Sequence, residues 1–133
     1  MPNRVPLLLF FSSYVKLQQA YVSEAVAIGS WAVIGYKGPG DNTNASGNGA
    51  ATSATNNFTY TDASGWTNNT IAIATGATGF SASNKAKLND CDAAANWTIT
   101  VSEGSAAGEA TFTPSTLSAD CIQLTPNWKQ IGK

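Results

Sequence analysis

Hydrophobic and polar positions alternate most strictly near the C-terminal end of the chain. Trp97, Ile99 and Val101 share one side of an alternating run, with Thr98, Thr100 and Ser102 on the other. A second run, Glu109 to Thr113, places Ala110 and Phe112 on one side. Between them, Glu103 to Gly108 carries two glycines and no large apolar residue. Two alternating runs around a short glycine-containing connection predict an antiparallel hairpin with one buried and one wet face.

Near the other end the period changes from two to between three and four. Tyr14, Leu17, Tyr21, Ala25 and Ile28 form one apolar stripe, with Lys16, Gln18, Gln19 and Ser23 lying off it. This spacing predicts a helix capped at Ser12 or Ser13, running to about Ile28 and stopped by Gly29. Trp31-Ala32-Val33-Ile34-Gly35-Tyr36 is nearly continuous in apolar character and predicts a first strand near the centre of a sheet. Lys37-Gly38-Pro39-Gly40 ends it as a turn.

Asp41 to Asn57 reads as a long polar loop, with Gly47-Asn48-Gly49 lacking the lysine and the setting of a phosphate loop. Asp41-Asn42-Thr43-Asn44 has the start of a calcium loop without its later acidic ligands. Phe58 to Thr61 and Thr70 to Thr75 predict two strands, joined by turn material from Asp62 to Trp66. Gly76 to Asn84 loosens again, and Lys85 to Asn89 predicts a short strand leading to Cys91. Pro114 closes the last regular strand. The remainder is a tail expected to dock through Cys121, Ile122, Leu124 and Trp128.

Length bounds this picture to one domain of 133 residues, enough to bury about two-thirds of its unfolded surface. Charged residues are 11% of the chain, against an ordinary share of about 25%. More than half of all residues are Ala, Thr, Ser, Asn or Gly. A surface of hydroxyls, amides and small side chains suits a protein living outside the cytoplasm or packed into an assembly.

The net charge is −1 and the cations, Arg4 and six lysines, are scattered, so neither a nucleic-acid surface nor a polybasic membrane patch is expected. Val5 to Phe11 is too short to span a bilayer, so no stable membrane span is expected. There is no histidine, which removes the commonest general base and metal ligand. No catalytic residue, cofactor site or metal site is assigned, and an enzyme is not expected.

Eight carboxylates are present, Asp62 among them. Glu103 and Glu109 flank the hairpin connection, where solvation defeats a catalytic pair. Asp90, Asp92 and Asp120 lie beside the cysteines, where a disulfide would draw them together; a hydrated acidic edge is expected there in preference to a weak calcium site. Sequons at Asn44, Asn57, Asn68 and Asn96 are what chance gives in so Asn- and Thr-rich a chain.

Of the four tryptophans, Trp31 and Trp97 are expected in the core, and Trp66, in turn-rich surroundings, is the best surface candidate. An exposed Trp66 stacking on surface polysaccharide is the basis of an alternative reading, a secreted carbohydrate-binding module. The two cysteines, Cys91 and Cys121, are either buried thiols or one disulfide. Their placement around the hairpin and the composition favour the disulfide and an oxidising compartment. Closing a loop of this length is worth roughly 3.5 kcal/mol on the chain-entropy argument.

The order of helix, long loop, antiparallel sheet and cysteine-bounded end resembles type IV pilin and pseudopilin subunits. The resemblance is carried by Tyr14 to Tyr21 on the helix, Gly29-Ser30-Trp31 with Ile34-Gly35-Tyr36, Leu88-Asn89-Asp90-Cys91, and Trp97 to Thr100. It closes on Cys121-Ile122-Gln123-Leu124-Thr125-Pro126-Asn127-Trp128, similar to the Cys-x-x-Leu-Thr-Pro-x-aromatic ending of some bacterial major pilins.

The resemblance implies an α+β fold: an N-terminal helix packed on an antiparallel β-sheet, as a pilin-like headpiece with a C-terminal disulfide loop closed by Cys91 and Cys121. It also implies an exported structural subunit of an extracellular bacterial pilus or type II secretion pseudopilus, contributing to surface adhesion, with other pilin subunits as partners. The domain spans residues 13–133. Residues 1–12 are expected to be an apolar remnant or a mis-started reading, because the family's leader and long apolar start are absent from them.

Overall fold

The computed structural model describes residues 7–43, 51–125 and 127–131; of residues 7–10 and 41–43 it describes the backbone alone. The basic start at Arg4, the sequon at Asn44, Gly47-Asn48-Gly49 and Pro126 lie outside the described residues. The architecture is α+β with antiparallel sheets and a disulfide.

Helix α1 spans Leu7–Ala25, beginning before the predicted serine cap and ending one turn early. It ends because Val26 adopts a left-handed φ of 53° while its N–H still donates to Val22 O at 2.9 Å. That conformation is unusual for a β-branched residue. It turns the chain sharply, so Ala27–Gly29 runs back beside the helix as strand β1. Gly29 cannot be replaced freely here: a Cβ would lie 2.7 Å from Ile34 and 2.8 Å from Tyr21.

Trp31–Ile34, expected as a central strand, is instead a single helical turn, α2. Ser30 caps it, its Oγ accepting from Val33 N–H at 3.4 Å, and Gly35 ends it with φ 80°. The serine and glycine that bracket the apolar run are helix punctuation, and they override its continuous hydrophobicity.

The expected long loop contains two three-residue strands, β2 (Asp41–Thr43) and β3 (Thr52–Ala54). As short polar strands, β2 at the sheet edge and β3 beside it, they leave no apolar alternation to read. Then come β4 (Phe58–Asp62), β5 (Thr70–Ala72), β6 (Ala77–Asn84), β7 (Asn96–Glu103) and β8 (Ala110–Pro114). The strands form two sheets, not one: β1 pairs with β5, and the larger sheet runs β2-β3-β4-β6-β7-β8, antiparallel throughout. The predicted hairpin is β7–β8, with Val101 opposite Phe112 and Thr100 opposite Thr113.

The largest correction is β6. Residues expected to loosen form an interior strand, bonded to β4 on one side and β7 on the other. Its register shifts between Thr78 and Phe80, at Gly79. A Cβ at Gly79 would collide with the Tyr14 hydroxyl, and Gly79 O accepts from Trp31 Nε1 at 3.0 Å. The glycine marks a bulge and a close approach, not a loop. Lys85 to Asn89, expected as a strand, is turn, with only an isolated bridge between Leu88 and Cys91.

The core is aromatic and centres on Phe80. The Phe11 ring lies 4.3 Å from it, and Tyr14, Trp31 and Tyr36 lie within 5.4 to 5.7 Å, the two tyrosines edge to face and the other two rings tilted. These contacts join α1, α2 and the following turn to the large sheet. Phe11 also meets Trp128 at 4.5 Å, which brings in the C-terminal segment. Such pairs contribute about 0.5–1.5 kcal/mol each beyond their buried area. Replacing Phe80 with alanine is therefore expected to cost about 3–5 kcal/mol in urea unfolding; a cost below 1 kcal/mol would show that the cluster does not hold the elements together.

Candidate functional site

Two adjacent amides on α1 tie the helix to strands of both sheets. Gln18, with 0% exposure, donates from Nε2 to Gly29 O at 2.8 Å and accepts from Gly29 N–H at Oε1 at 2.9 Å. Its Nε2 also donates to the Tyr14 hydroxyl at 2.9 Å. Gln19 repeats the arrangement on the large sheet: Nε2 donates to Gly108 O and Oε1 accepts from Ala110 N–H, both at 3.1 Å. Ser23 Oγ adds a bond to Gly108 O at 3.1 Å. Each amide offers one donor and one acceptor to a strand end, as a neighbouring strand would. One helix thereby holds both β1 and the start of β8.

Beyond Gln19, α1, β8 and the 3₁₀ turn Trp128–Gln130 enclose an open groove of about 850 Å³. Val15, Phe112 and Ile131 supply its apolar surface, and Lys16, Gln19 and Gln130 its polar surface.

The C-terminal segment docks as the sequence predicts. Cys91 and Cys121 are bonded, with their Cα atoms 4.6 Å apart. Cys121 sits in the single-turn helix α3, Ala119–Ile122, capped by Ser118. Leu124 and Trp128 are buried, and Ile122 is half-buried. Two indoles anchor the segment: Trp97 Nε1 donates to Thr125 Oγ1 at 2.9 Å, and Trp128 Nε1 donates to Ser115 O at 2.7 Å. Asn84, at the end of β6, shapes the loop before the bridge. Its Nδ2 donates to Ala86 O and Asp92 O, and its Oδ1 accepts from Ala95 N–H.

Trp66, the proposed ligand contact, is 3% exposed, so its assignment as a surface aromatic is corrected. Its neighbours in sequence are turn residues, but Ala63 beside it is buried too, and the ring closes the core beneath them. Trp31, Trp97 and Trp128 are likewise buried. Glu103 and Glu109 are exposed at the hairpin connection, as are Asp90, Asp92 and Asp120 around the bridge. Among the described residues, no three His, Cys, Asp or Glu side chains gather closely enough to hold a metal ion.

Sequence reasoning missed Asp62. It is 5% exposed, its Oδ2 accepting from Trp31 N–H at 3.0 Å and its Oδ1 from Ala63 N–H at 2.7 Å. It thus tethers the first turn of α2 to the end of β4. Burial pushes its pKa up to about 7, against the lowering effect of the three backbone N–H groups of Trp31, Ala63 and Ala51. Burial likewise raises Tyr14, Tyr36 and Tyr60. The signal for Asp62 was present: Phe58, Tyr60 and Asp62 fall on the same side of one alternating strand.

No family model, curated protein or solved structure matches this chain. Among the described residues, no helix is long and apolar enough to cross a membrane.

Two outcomes follow from this geometry. Gln18→Met keeps the volume but strands the buried Gly29 N–H and C=O, and should lower unfolding free energy by about 2–4 kcal/mol. Gln19→Met, at a half-buried site, should cost less than about 1 kcal/mol; equal costs would remove the distinction between the two clamps. Asp62 ionises near pH 7 when folded and near 3.8 otherwise, so the folded state holds its proton more tightly between those values. Its contribution to stability is therefore complete below about pH 4, falls as pH rises to about 7, and is flat above. The difference in melting temperature between the native chain and Asp62→Asn should follow that course, and a pH-independent difference would refute it.

Proposed function

We propose that the chain is a non-enzymatic structural subunit of an extracellular bacterial filament of the type IV pilus or type II secretion pseudopilus kind. The observation that carries this reading is the joint anchoring of helix α1 and the segment after β8 beside the large sheet. Phe11 of α1 and Trp128 of the C-terminal segment meet each other at 4.5 Å beside Phe80 of β6, and Cys91–Cys121 ties that segment to the chain ahead of β7. A subunit under tension along a filament needs such cross-linking between elements distant in sequence.

Three further features support the reading. The α+β layout with a C-terminal disulfide is what the pilin resemblance implies. The disulfide fits an oxidising compartment such as the exterior or periplasm. A charge-poor chain without histidine fits assembly better than catalysis. Adhesion through this filament is the finer form of the proposal. The burial of Trp66 leaves the polysaccharide-binding alternative without the aromatic platform on which it was based.

Antibodies to the purified chain provide the test, applied to intact cells of the organism that carries the gene. Immunogold electron microscopy is expected to label filaments along their length, and deletion of the gene to abolish the label. Recovery of the chain solely as a free secreted monomer, with no labelled filaments, would overturn the proposal.

A further inference from the structure

Asp62 is the one buried carboxylate among the described residues, and it also lines a surface cleft of about 480 Å³. The cleft lies between the turn that follows β4, the turn that follows β5, and the start of β6. Ser64, Thr75, Thr78 and Ser81 contribute hydroxyl-bearing side chains to its wall, and Ile71 is its one large apolar residue. Asp62 is held in place by backbone N–H groups of Trp31, Ala63 and Ala51. An ionised carboxylate offers about four acceptor positions, so these bonds leave acceptor capacity over. Asp62 has no ion pair among the described residues. A buried charge that lacks a counter-charge is costly, and neutral dipoles alone offset that cost here.

We propose that this cleft binds a small molecule carrying one primary ammonium group, with Asp62 as its counter-ion and hydroxyls of the wall as its further acceptors. The inference stands apart from the filament reading. Charge selects the ligand. Asp62 is the sole charged residue of the lining, so an anion finds no partner there. A divalent ion needs several anionic ligands, and among the described residues no three His, Cys, Asp or Glu side chains gather to supply them. An apolar ligand finds Ile71 and little else. An ammonium has three donors and one charge, which suits one carboxylate among neutral hydroxyls. The volume lies toward the small end of ligand sites, roughly 300–1,000 Å³.

Binding of this kind is tied to the ionisation of Asp62, whose pKa burial pushes up to about 7. On α1 the titratable group that couples to it is the Tyr14 hydroxyl, which burial keeps protonated far above that range. The chain at Trp31, Ala51 and Ala63 meets it with backbone N–H groups, and β6 places Phe80 opposite it. The rest of the cleft lining carries no charge. A ligand ammonium therefore meets an anion above pH 7 and a neutral acid below it. The bound cation in turn favours the ionised carboxylate, so ligand and proton compete for one group.

Ethanolamine hydrochloride, titrated into the full, disulfide-bonded chain at constant ionic strength, provides the test. The readout is the amide NMR shifts of Ser64, Gly65, Gly76 and Ala77. At about pH 8 they should saturate with a Kd on the order of 1 mM, since ethanolamine has few atoms to contribute. At about pH 6 the affinity should fall about tenfold, following the ionised fraction of a group that titrates near 7. Ethylene glycol, similar in shape but uncharged, and potassium chloride should each leave the shifts in place. Asp62→Asn should abolish saturation, with circular dichroism reporting its fold. Thr78→Lys, at an exposed position on the cleft wall, tethers an ammonium there and should weaken ethanolamine about tenfold. That variant decides the matter should Asp62→Asn fail to fold. Shifts that do not saturate by about 100 mM, equal shifts with ethylene glycol or potassium chloride, an affinity independent of pH, or folded variants that bind as before would each overturn the proposal.

Discussion

Successive residues on an α-helix leave its axis about 100° apart, so two adjacent side chains cannot serve the same neighbour. Gln18 and Gln19 turn that constraint into a junction. One amide bonds Gly29 of β1, the other Gly108 and Ala110 at the start of β8, and each supplies a donor and an acceptor. Glutamine is the residue for this task because a carboxylate lacks the donor and an ammonium lacks the acceptor. With both clamps made, α1 cannot rotate without opening a strand end. The position of the small sheet relative to the large one then follows from the helix.

Apolar packing completes what the amides orient. Phe80 lies where α1, α2 and the C-terminal segment converge on the large sheet, and nearly every large aromatic in the chain is buried there or nearby. The described surface carries small residues, hydroxyls, amides and a few scattered charged side chains. Exposed large apolar residues among those described are Val26 and Val33, both beside the turns that connect α1, β1 and α2. The ring contacts, the amide clamps and one covalent bond hold the described elements together.

Several polar groups inside this core join elements distant in sequence. Asp62 joins β4 to the N-terminal turn of α2, Asn84 joins β6 to the loop that carries Cys91, and Trp97 joins β7 to Thr125. Buried polar groups need partners, so the geometry that satisfies them also fixes the chain's path. Sequence periodicity registers such residues as interruptions. Asp62 follows Phe58 and Tyr60 on the buried side of its strand and was read there as the beginning of a turn.

The sequence by itself determined the terminal helix, the β7–β8 hairpin with the faces of its strands, β4, the docking residues of the C-terminal segment, and the favoured pairing of the two cysteines. In each case the information is local, because periodicity states which face is buried whatever lies against it. Only the tertiary structure decided the rest. Gly79 reads as a break until Tyr14 and Trp31 approach it, Trp31–Ile34 reads as a strand until Ser30 and Gly35 cap it, and Trp66 reads as exposed until the core closes around it. The clamps of Gln18 and Gln19 bond residues 11 and 89–91 positions away. No local pattern encodes a partner at that distance, since the partner's identity is fixed by where the folded backbone leaves an unpaired N–H and C=O.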